Sequence, residues 1–114
     1  MMENIKGLKR TDYCGNLRLT DAGREVTLFG WAQRQRDLGN LIFIDLRDKT
    51  GIVQISFNDQ TNRDIFEKAQ SVRSEYVLAL KGIVKERESK NKEIPTGEIE
   101  VEVTELRIIS KAQT

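Results

Sequence analysis

The strongest pattern along this chain is the alternation of hydrophobic and polar residues with a period of two, which is typical of a half-buried β-strand. Five segments carry this pattern or a related β-rich one, and we predict strands at residues 24–35, 41–48, 52–57, 76–85 and 98–109. The first segment changes phase, since Val26 and Leu28 lie on one side and Phe29 on the other. A long strand that bends at Gly30, where another backbone approaches closely, explains the change.

Between the third and fourth predicted strands the hydrophobic period becomes helical. The apolar residues at helical spacing are Ile65, Phe66, Ala69 and Val72. Thr61, followed by Asp64, resembles a capping box and predicts the start of a helix of about three turns. Residues 37–40 and 50–51 have the composition of tight turns, and the charged segment 86–93 is predicted to be a mobile loop.

Five strands with one helix between the third and fourth is the arrangement of the OB-fold, a five-stranded Greek-key barrel. We therefore predict an all-β fold with one short helix. A β-sandwich would have more strands and no helix at this position. In an OB-fold, the second and third strands form the usual ligand-binding face, so their outward side chains are the first candidates for function.

Composition narrows the possible functions. Nineteen basic and eighteen acidic residues give a net charge of +1, so any nucleic-acid binding has to come from a local arrangement of charge. The chain has no histidine and a single cysteine, Cys14. A single cysteine excludes an intramolecular disulfide and a thiolate zinc cluster, and Cys14 is expected to be structural. No catalytic constellation or metal motif is recognisable. The sequence also lacks a membrane-spanning stretch and a signal peptide, so a cytoplasmic location is expected.

The strand period assigns two candidate binding residues. The apolar phase of the second predicted strand is Ile42, Ile44 and Leu46, and that of the third is Val53, Ile55 and Phe57. Phe43 and Gln54 therefore lie on the opposite, solvent-facing phase, where we expect them to be neighbours. An aromatic ring beside an amide suits an unstacked nucleobase, because the ring stacks on the base and the amide bonds to its edge.

Other interpretations of these residues remain open. Phe43 is alternatively buried beneath the N-terminal segment, and Gln54 is alternatively an ordinary solvated residue. Trp31 is expected in the core rather than as a stacking platform. The cations that either contact RNA or only solvate the surface are Arg34, Arg36, Lys85 and Arg87. The glutamates of the fifth strand are Glu98, Glu100 and Glu102; they would repel phosphate, although a carboxylate can accept a hydrogen bond from a cytosine amino group.

The segment from Gly30 to Asp48 reads GWAQRQRDLGNLIFIDLRD. It resembles the signature of the N-terminal anticodon-binding domain of bacterial-type aspartyl-tRNA synthetases. Further matches are RT at 10–11, YCG at 13–15, GIVQ at 51–54, RSEYV at 73–77 and PTGEIEV at 95–101, so the likeness spans nearly the whole chain. The lysyl and asparaginyl relatives share the fold but lack the R-x-R-D-x-G-x-L-I-F-I-D-L-R-D run.

The resemblance implies a domain that binds the tRNA anticodon loop, with G, U and C splayed out on the barrel. By position, Phe43 would stack on the middle base, Gln54 would read its edge and Glu100 would read the third base. The residues that would contact the first base or the loop phosphates are Arg36, Lys85 and Arg87, with Asn91 assisting from the loop. No DNA partner and no membrane partner are expected.

The resemblance also implies a longer parent enzyme, a homodimeric class II ligase that joins aspartate to tRNA with ATP and magnesium. This chain alone is predicted to be non-catalytic and to hold no cofactor or metal. The implied organisation is an N-terminal extension packed on the barrel at 1–23, the OB-fold domain at 24–110, and the start of a linker to an absent catalytic domain at 111–114.

Three departures from the family pattern affect individual contacts. Gln35 stands where the family usually has a third arginine, Lys85 replaces a usual arginine, and the loop at 86–95 is slightly short. A lysine cannot present a planar bidentate fork, so a contact from Lys85 is expected to be weaker or to go to phosphate. The alternative functions are a free-standing OB-fold protein that binds single-stranded nucleic acid and a protein-interaction barrel without an RNA ligand.

Overall fold

The structure, a computed structural model, describes residues 3–111, which form a closed barrel of five strands. The strands are β1 (Glu25–Asp37), β2 (Ile42–Asp48), β3 (Gly51–Phe57), β4 (Val77–Glu86) and β5 (Ile99–Ser110). One helix, α1 (Arg63–Ser71), joins β3 to β4, and two short 3-10 turns, Cys14–Asn16 and Leu19–Asp21, precede β1. The predicted OB-fold with one helix between the third and fourth strands is confirmed. Most of the predicted linker at 111–114 lies outside the described residues.

The order of strands around the barrel is β1, β2, β3, β5, β4, with β4 pairing back on β1. All pairs are antiparallel except β3 with β5, which run parallel over a short stretch. The apolar phases predicted for β2 and β3 both point into the barrel, and all six of their side chains are fully buried. Truncating one of them, such as Leu46, to alanine would cost about 2–5 kcal/mol through lost packing and the cavity left behind.

The close approach of another backbone predicted at Gly30 is present. A Cβ atom at this position would lie 2.5 Å from the carbonyl oxygen of Arg47, so only glycine allows the two strands to approach this closely. A register shift between Ala32 and Arg34 follows at once in the pairing with β2. This bulge lets β1 pair with β4 along its first half and with β2 along its second half.

The predicted cap of α1 is wrong by one residue. Asn62 is the N-cap, because its side-chain oxygen accepts hydrogen bonds from the backbone N–H groups of Asp64 at 2.9 Å and Ile65 at 3.4 Å. The Thr61 hydroxyl instead accepts a hydrogen bond from the Asn58 N–H at 2.9 Å. Thr61 therefore stabilises the turn that follows β3, and its oxygen does not reach the first turn of the helix.

The segment before β1 is attached to the barrel through the buried carboxylate of Asp48. One oxygen of Asp48 accepts a hydrogen bond from the Cys14 N–H at 2.7 Å, and the other accepts from the N–H and the hydroxyl of Thr50 at 2.8 and 2.6 Å. The Gly15 N–H donates to the Thr50 hydroxyl oxygen at 2.7 Å. Cys14 and Leu17 are fully buried against the core, which fits the structural role expected for Cys14.

Burial raises the pKa of Asp48, but the hydrogen bonds from Thr50 and Cys14 outweigh it and leave that pKa below its usual range. A carboxyl whose pKa is lower in the folded state stabilises the fold above its unfolded pKa. That contribution is lost as the pH falls through the folded pKa.

We predict that Asp48→Asn lowers the free energy of unfolding at neutral pH by about 1–3 kcal/mol, because charge-assisted bonds to buried donors are weakened. As the pH falls below the ordinary pKa of an aspartate, the unfolded parent binds a proton before the folded parent does, so the stability gap between the two proteins narrows. Urea unfolding at pH 7 and pH 3 measures both effects. The exposed Asp59→Asn is the matched control, and a gap that stays constant between the two pH values would contradict the assignment.

Candidate nucleic-acid interface

The outward face of β1, β2 and β3 is organised in rows set by the strand register. One row places Phe43 between Arg36 and Ser56, and the next places Asp45 between Arg34 and Gln54. Phe43 and Gln54 are therefore diagonal neighbours on the predicted face. Phe43 is half-buried and carries the Arg36 guanidinium 5.1 Å from the centre of its ring. Phe43 lines an open cleft, whereas Cys14 in the described part of the N-terminal segment packs beside Asp48.

Three of the predicted binding residues form a hydrogen-bonded chain across the barrel. The Arg36 guanidinium donates to Gln54 Oε1 at 3.2 Å, and Gln54 Nε2 donates to Glu100 Oε1 at 3.0 Å. Gln54 is only 4% exposed, so the expectation of a freely exposed amide is wrong. Its two partners cover it from either side, which fixes the orientation of its amide group. An amide held in this way presents its donor and acceptor in one defined direction.

A cleft of about 480 Å³ crosses this network from β1 to β4. Six of the seven sequence-predicted residues line it: Arg36, Phe43, Gln54, Lys85, Arg87 and Glu100. Its charged side chains are three cations and four glutamates, so it is close to neutral. With an aromatic ring at one side and fixed hydrogen-bonding groups at the other, the cleft is suited to a flat heterocycle.

A second cleft of about 480 Å³ adjoins the first and shares Arg36, Gln54 and Arg87 with it. It lies beneath the loop between β4 and β5 and contains Asn91, the seventh predicted residue. Its charged groups are five cations and two anions: Arg34, Arg36, Arg87, Lys90 and Lys92 against Asp45 and Glu93. Because the chain as a whole is nearly neutral, contact with phosphate requires a local excess of cations, and the second cleft has one.

The loop that covers the second cleft is held by hydrogen bonds, although the sequence predicted a mobile loop. The Asn91 N–H donates to the Gly97 carbonyl oxygen at 2.9 Å, and the Gly97 N–H donates to Ile94 at 3.0 Å. The Thr96 hydroxyl donates to the Ile52 carbonyl oxygen on β3 at 2.6 Å. These contacts give the charged residues of the loop a defined position over the barrel.

The structure accounts for two departures from the family pattern. Gln35 points away from the clefts, and its amide nitrogen donates to the carbonyl oxygens of Ala69 and Gln70 at the end of α1, at 3.1 and 3.3 Å. Lys85 lies 3.7 Å from Glu102, which also accepts a hydrogen bond from the Asn58 side chain at 3.1 Å. Asn58 is a cleft residue that the sequence did not indicate, because it follows β3 in an irregular turn.

The expectation for Trp31 is wrong. Its side chain is 36% exposed and lies on the outward face, paired with Val77 on β4 and Arg47 on β2. Trp31 faces outward because it shares the strand phase of Phe29, and only its large apolar ring favoured the core. The outward phase holds Phe29 and Trp31, whereas Val26, Leu28 and Ala32 point inward.

Within residues 3–111 no group of three or more histidine, cysteine, aspartate or glutamate side chains is placed to hold a metal ion. No helix within the same residues is long and apolar enough to cross a membrane.

The chain is similar to aspartate–tRNA ligases over its whole length. It is 54% identical over 116 aligned residues to the aspartate–tRNA(Asp/Asn) ligase of Caldanaerobacter subterraneus subsp. tengcongensis, covering 100% of this chain and 20% of that protein. It is 51% identical to the aspartate–tRNA ligase of Clostridium botulinum, covering 100% and 19%. The chain thus spans about a fifth of the length of these curated relatives.

A solved structure and a family model both match this barrel. The asparaginyl-tRNA synthetase of Pyrococcus horikoshii superposes with a TM-score of 0.77 and 31% identity, covering 93% of this chain and 23% of that one. Residues 26–109 match the tRNA anti-codon family, described as an OB-fold nucleic acid binding domain. The matched region contains β1 to β5 and both clefts, apart from the first and last residues of the barrel. This chain therefore belongs to the tRNA anti-codon family of OB-fold nucleic acid binding domains.

Proposed function

We propose that this chain is the module that recognises the tRNA anticodon loop in an aspartate–tRNA ligase. The observation that carries the proposal is the Arg36–Gln54–Glu100 network beside the Phe43 ring. It supplies one stacking surface and fixed donors and acceptors on the face that OB-folds use for oligonucleotides. The relatives' names supply the class of enzyme.

In this proposal the first cleft receives bases and the second receives phosphates. Phe43 stacks on the middle base, while Gln54 forms hydrogen bonds with its edge after exchanging a bond with Arg36 or Glu100. Glu100 is an acceptor for the amino group of a cytosine at the third position. The remaining predicted contacts, to the first base or to phosphate, come from Arg36, Lys85, Arg87 and Asn91. Lys85 acts as a point charge, since its ammonium group cannot form a bidentate pair.

The chemistry of the ligase lies outside this chain. We propose that the full-length protein is a homodimeric, cytoplasmic enzyme that attaches aspartate to tRNA with ATP and magnesium, and that residues 24–110 serve as its recognition domain. Some relatives are named aspartate–tRNA ligase and others aspartate–tRNA(Asp/Asn) ligase. We propose that a preference between tRNA(Asp) and tRNA(Asn) depends on how the first anticodon base is contacted.

We predict that Phe43→Ala weakens binding of an anticodon stem-loop by about 1–3 kcal/mol, because one base loses its stacking partner. Fluorescence anisotropy of a labelled stem-loop measures the dissociation constant. Leu19→Ala, a truncation of an exposed apolar residue that lines neither cleft, is the matched control and should bind like the parent. Equal affinity of the Phe43 variant and the parent would refute the stacking role.

Stem-loops that differ by one anticodon base distinguish this proposal from a general single-strand binder. Changing the middle U or the third C should weaken binding by about 1–3 kcal/mol, since buried polar groups then lose their partners. Poly-pyrimidine RNA should compete poorly, because four glutamates line the first cleft. Competition by poly-pyrimidine at the same concentration as the cognate stem-loop would favour a free-standing, sequence-tolerant binder.

We predict that Gly97→Ala displaces the loop over the second cleft and weakens RNA binding. A Cβ atom there would lie 1.6 Å from the Asn91 carbonyl oxygen, which forces the backbone apart. Faster hydrogen exchange of the Asn91 amide, which donates to Gly97, reports the displacement directly. Gly7→Ala, at a positive φ but with open space around it, is the control. Parent-like exchange at Asn91 in the Gly97 variant would contradict this role for the loop.

A further inference from the structure

One exposed aromatic residue on the binding face has no part in the proposed function. Trp31 is 36% exposed, and its strand partner on β2 is Arg47. Arg47 in turn pairs with Ile52 on β3. Trp31, Arg47 and Ile52 therefore form a third row on the same outward face, beyond the rows that contain Phe43 and Gln54.

This third row is continuous with the clefts. Residue 47 lies four positions beyond Phe43 on β2, a separation of roughly 13 Å at the usual rise of a strand. The second cleft fills the interval, since Arg34, Asp45 and Ile52 line it. The second cleft therefore extends from the row of Gln54 to Ile52 in the third row, next to Arg47.

The Trp31 side chain is partly exposed to solvent. Within residues 3–111 the aromatic rings that carry a cation over one face are Tyr13, Phe29, Phe43 and Tyr76, and Trp31 is not among them. Arg47 is held in place by a hydrogen bond from its Nε to the Gln33 side chain. An indole face with a guanidinium on the adjacent strand combines a surface for base stacking with a positive charge for phosphate.

We propose that Trp31 is a stacking platform for an additional nucleotide of the bound RNA, one that flanks the three anticodon bases, with Arg47 contacting its phosphate. The proposal rests on the proposed function. An OB-fold commonly contacts about 4–16 nucleotides, more than three bases require. A protein partner is the weaker reading, because the exposed large apolar residue beside Trp31 is Val77 and two such side chains make a small contact area.

The test uses the fact that Trp31 is the only tryptophan in the chain. Binding of an anticodon stem-loop is followed by anisotropy of a labelled RNA, and the tryptophan emission is recorded in the same titration. Stacking of a base on the indole should quench the emission in step with the bound fraction. It should also protect Trp31 from quenching by acrylamide. A trinucleotide that lacks flanking residues should leave the emission unchanged.

Three variants complete the experiment. Trp31→Ala should weaken stem-loop binding by about 5- to 150-fold, the loss of one base-stacking contact. Trp31→Phe should retain most of the affinity, because a ring remains. Val77→Ala, equally exposed on the neighbouring strand, should bind like the parent. Thermal unfolding of each variant verifies that the barrel is intact.

Failure of this inference is distinct from failure of the proposed function. Stem-loop binding with unchanged Trp31 emission and parent-like affinity of Trp31→Ala would overturn the stacking site and leave anticodon recognition in place. Equal losses in Trp31→Ala and Val77→Ala would also overturn it, since both residues would then act through the barrel wall. Absence of an anisotropy change with every stem-loop would overturn the proposed function itself.

Discussion

Closure of five strands on a common apolar interior determines which side of every strand faces the solvent. Once Ile44 and Ile55 point inward, their neighbours Phe43 and Gln54 have to point outward. The short parallel contact of β3 with β5 then brings Glu100 beside Gln54, although the two residues are 46 positions apart in the chain. The candidate interface is therefore a consequence of how the core packs, and its polar network needs no scaffold beyond the barrel.

The sequence predicted the parts of this arrangement that depend on periodicity. The fold class, the order of elements and the outward phase of Phe43, Gln54 and Glu100 all follow from alternation along single strands. The errors concern individual side chains. Trp31 is exposed because it shares the outward phase of Phe29, although its large apolar ring favoured the core. The N-cap of α1 is Asn62 rather than Thr61, and Gln54 is covered by side chains from two other strands.

Charge is distributed locally in a way that the net value of +1 conceals. The cleft beside Phe43 has nearly balanced charges, whereas the adjoining cleft beneath the β4–β5 loop has a clear excess of cations. In a nearly neutral protein, long-range attraction to RNA is weak and binding depends on short-range complementarity. Such a surface favours discrimination between RNA loops over tight binding to every single-stranded RNA. This behaviour suits a module whose full-length relatives are five times longer.

Gln35 and Arg36 are consecutive residues whose side chains contact different parts of the fold. The first is bonded to the last turn of α1, and the second reaches over Phe43 to Gln54. The peptide bond between Gln35 and Arg36 therefore links the end of α1 to the solvent-facing side of β1–β3. A substitution near Ala69 that shifts the end of α1 would displace Gln35 and, through the backbone, the Arg36 guanidinium above the Phe43 ring. The selectivity of this binding face can therefore change through substitutions at positions that do not contact a ligand.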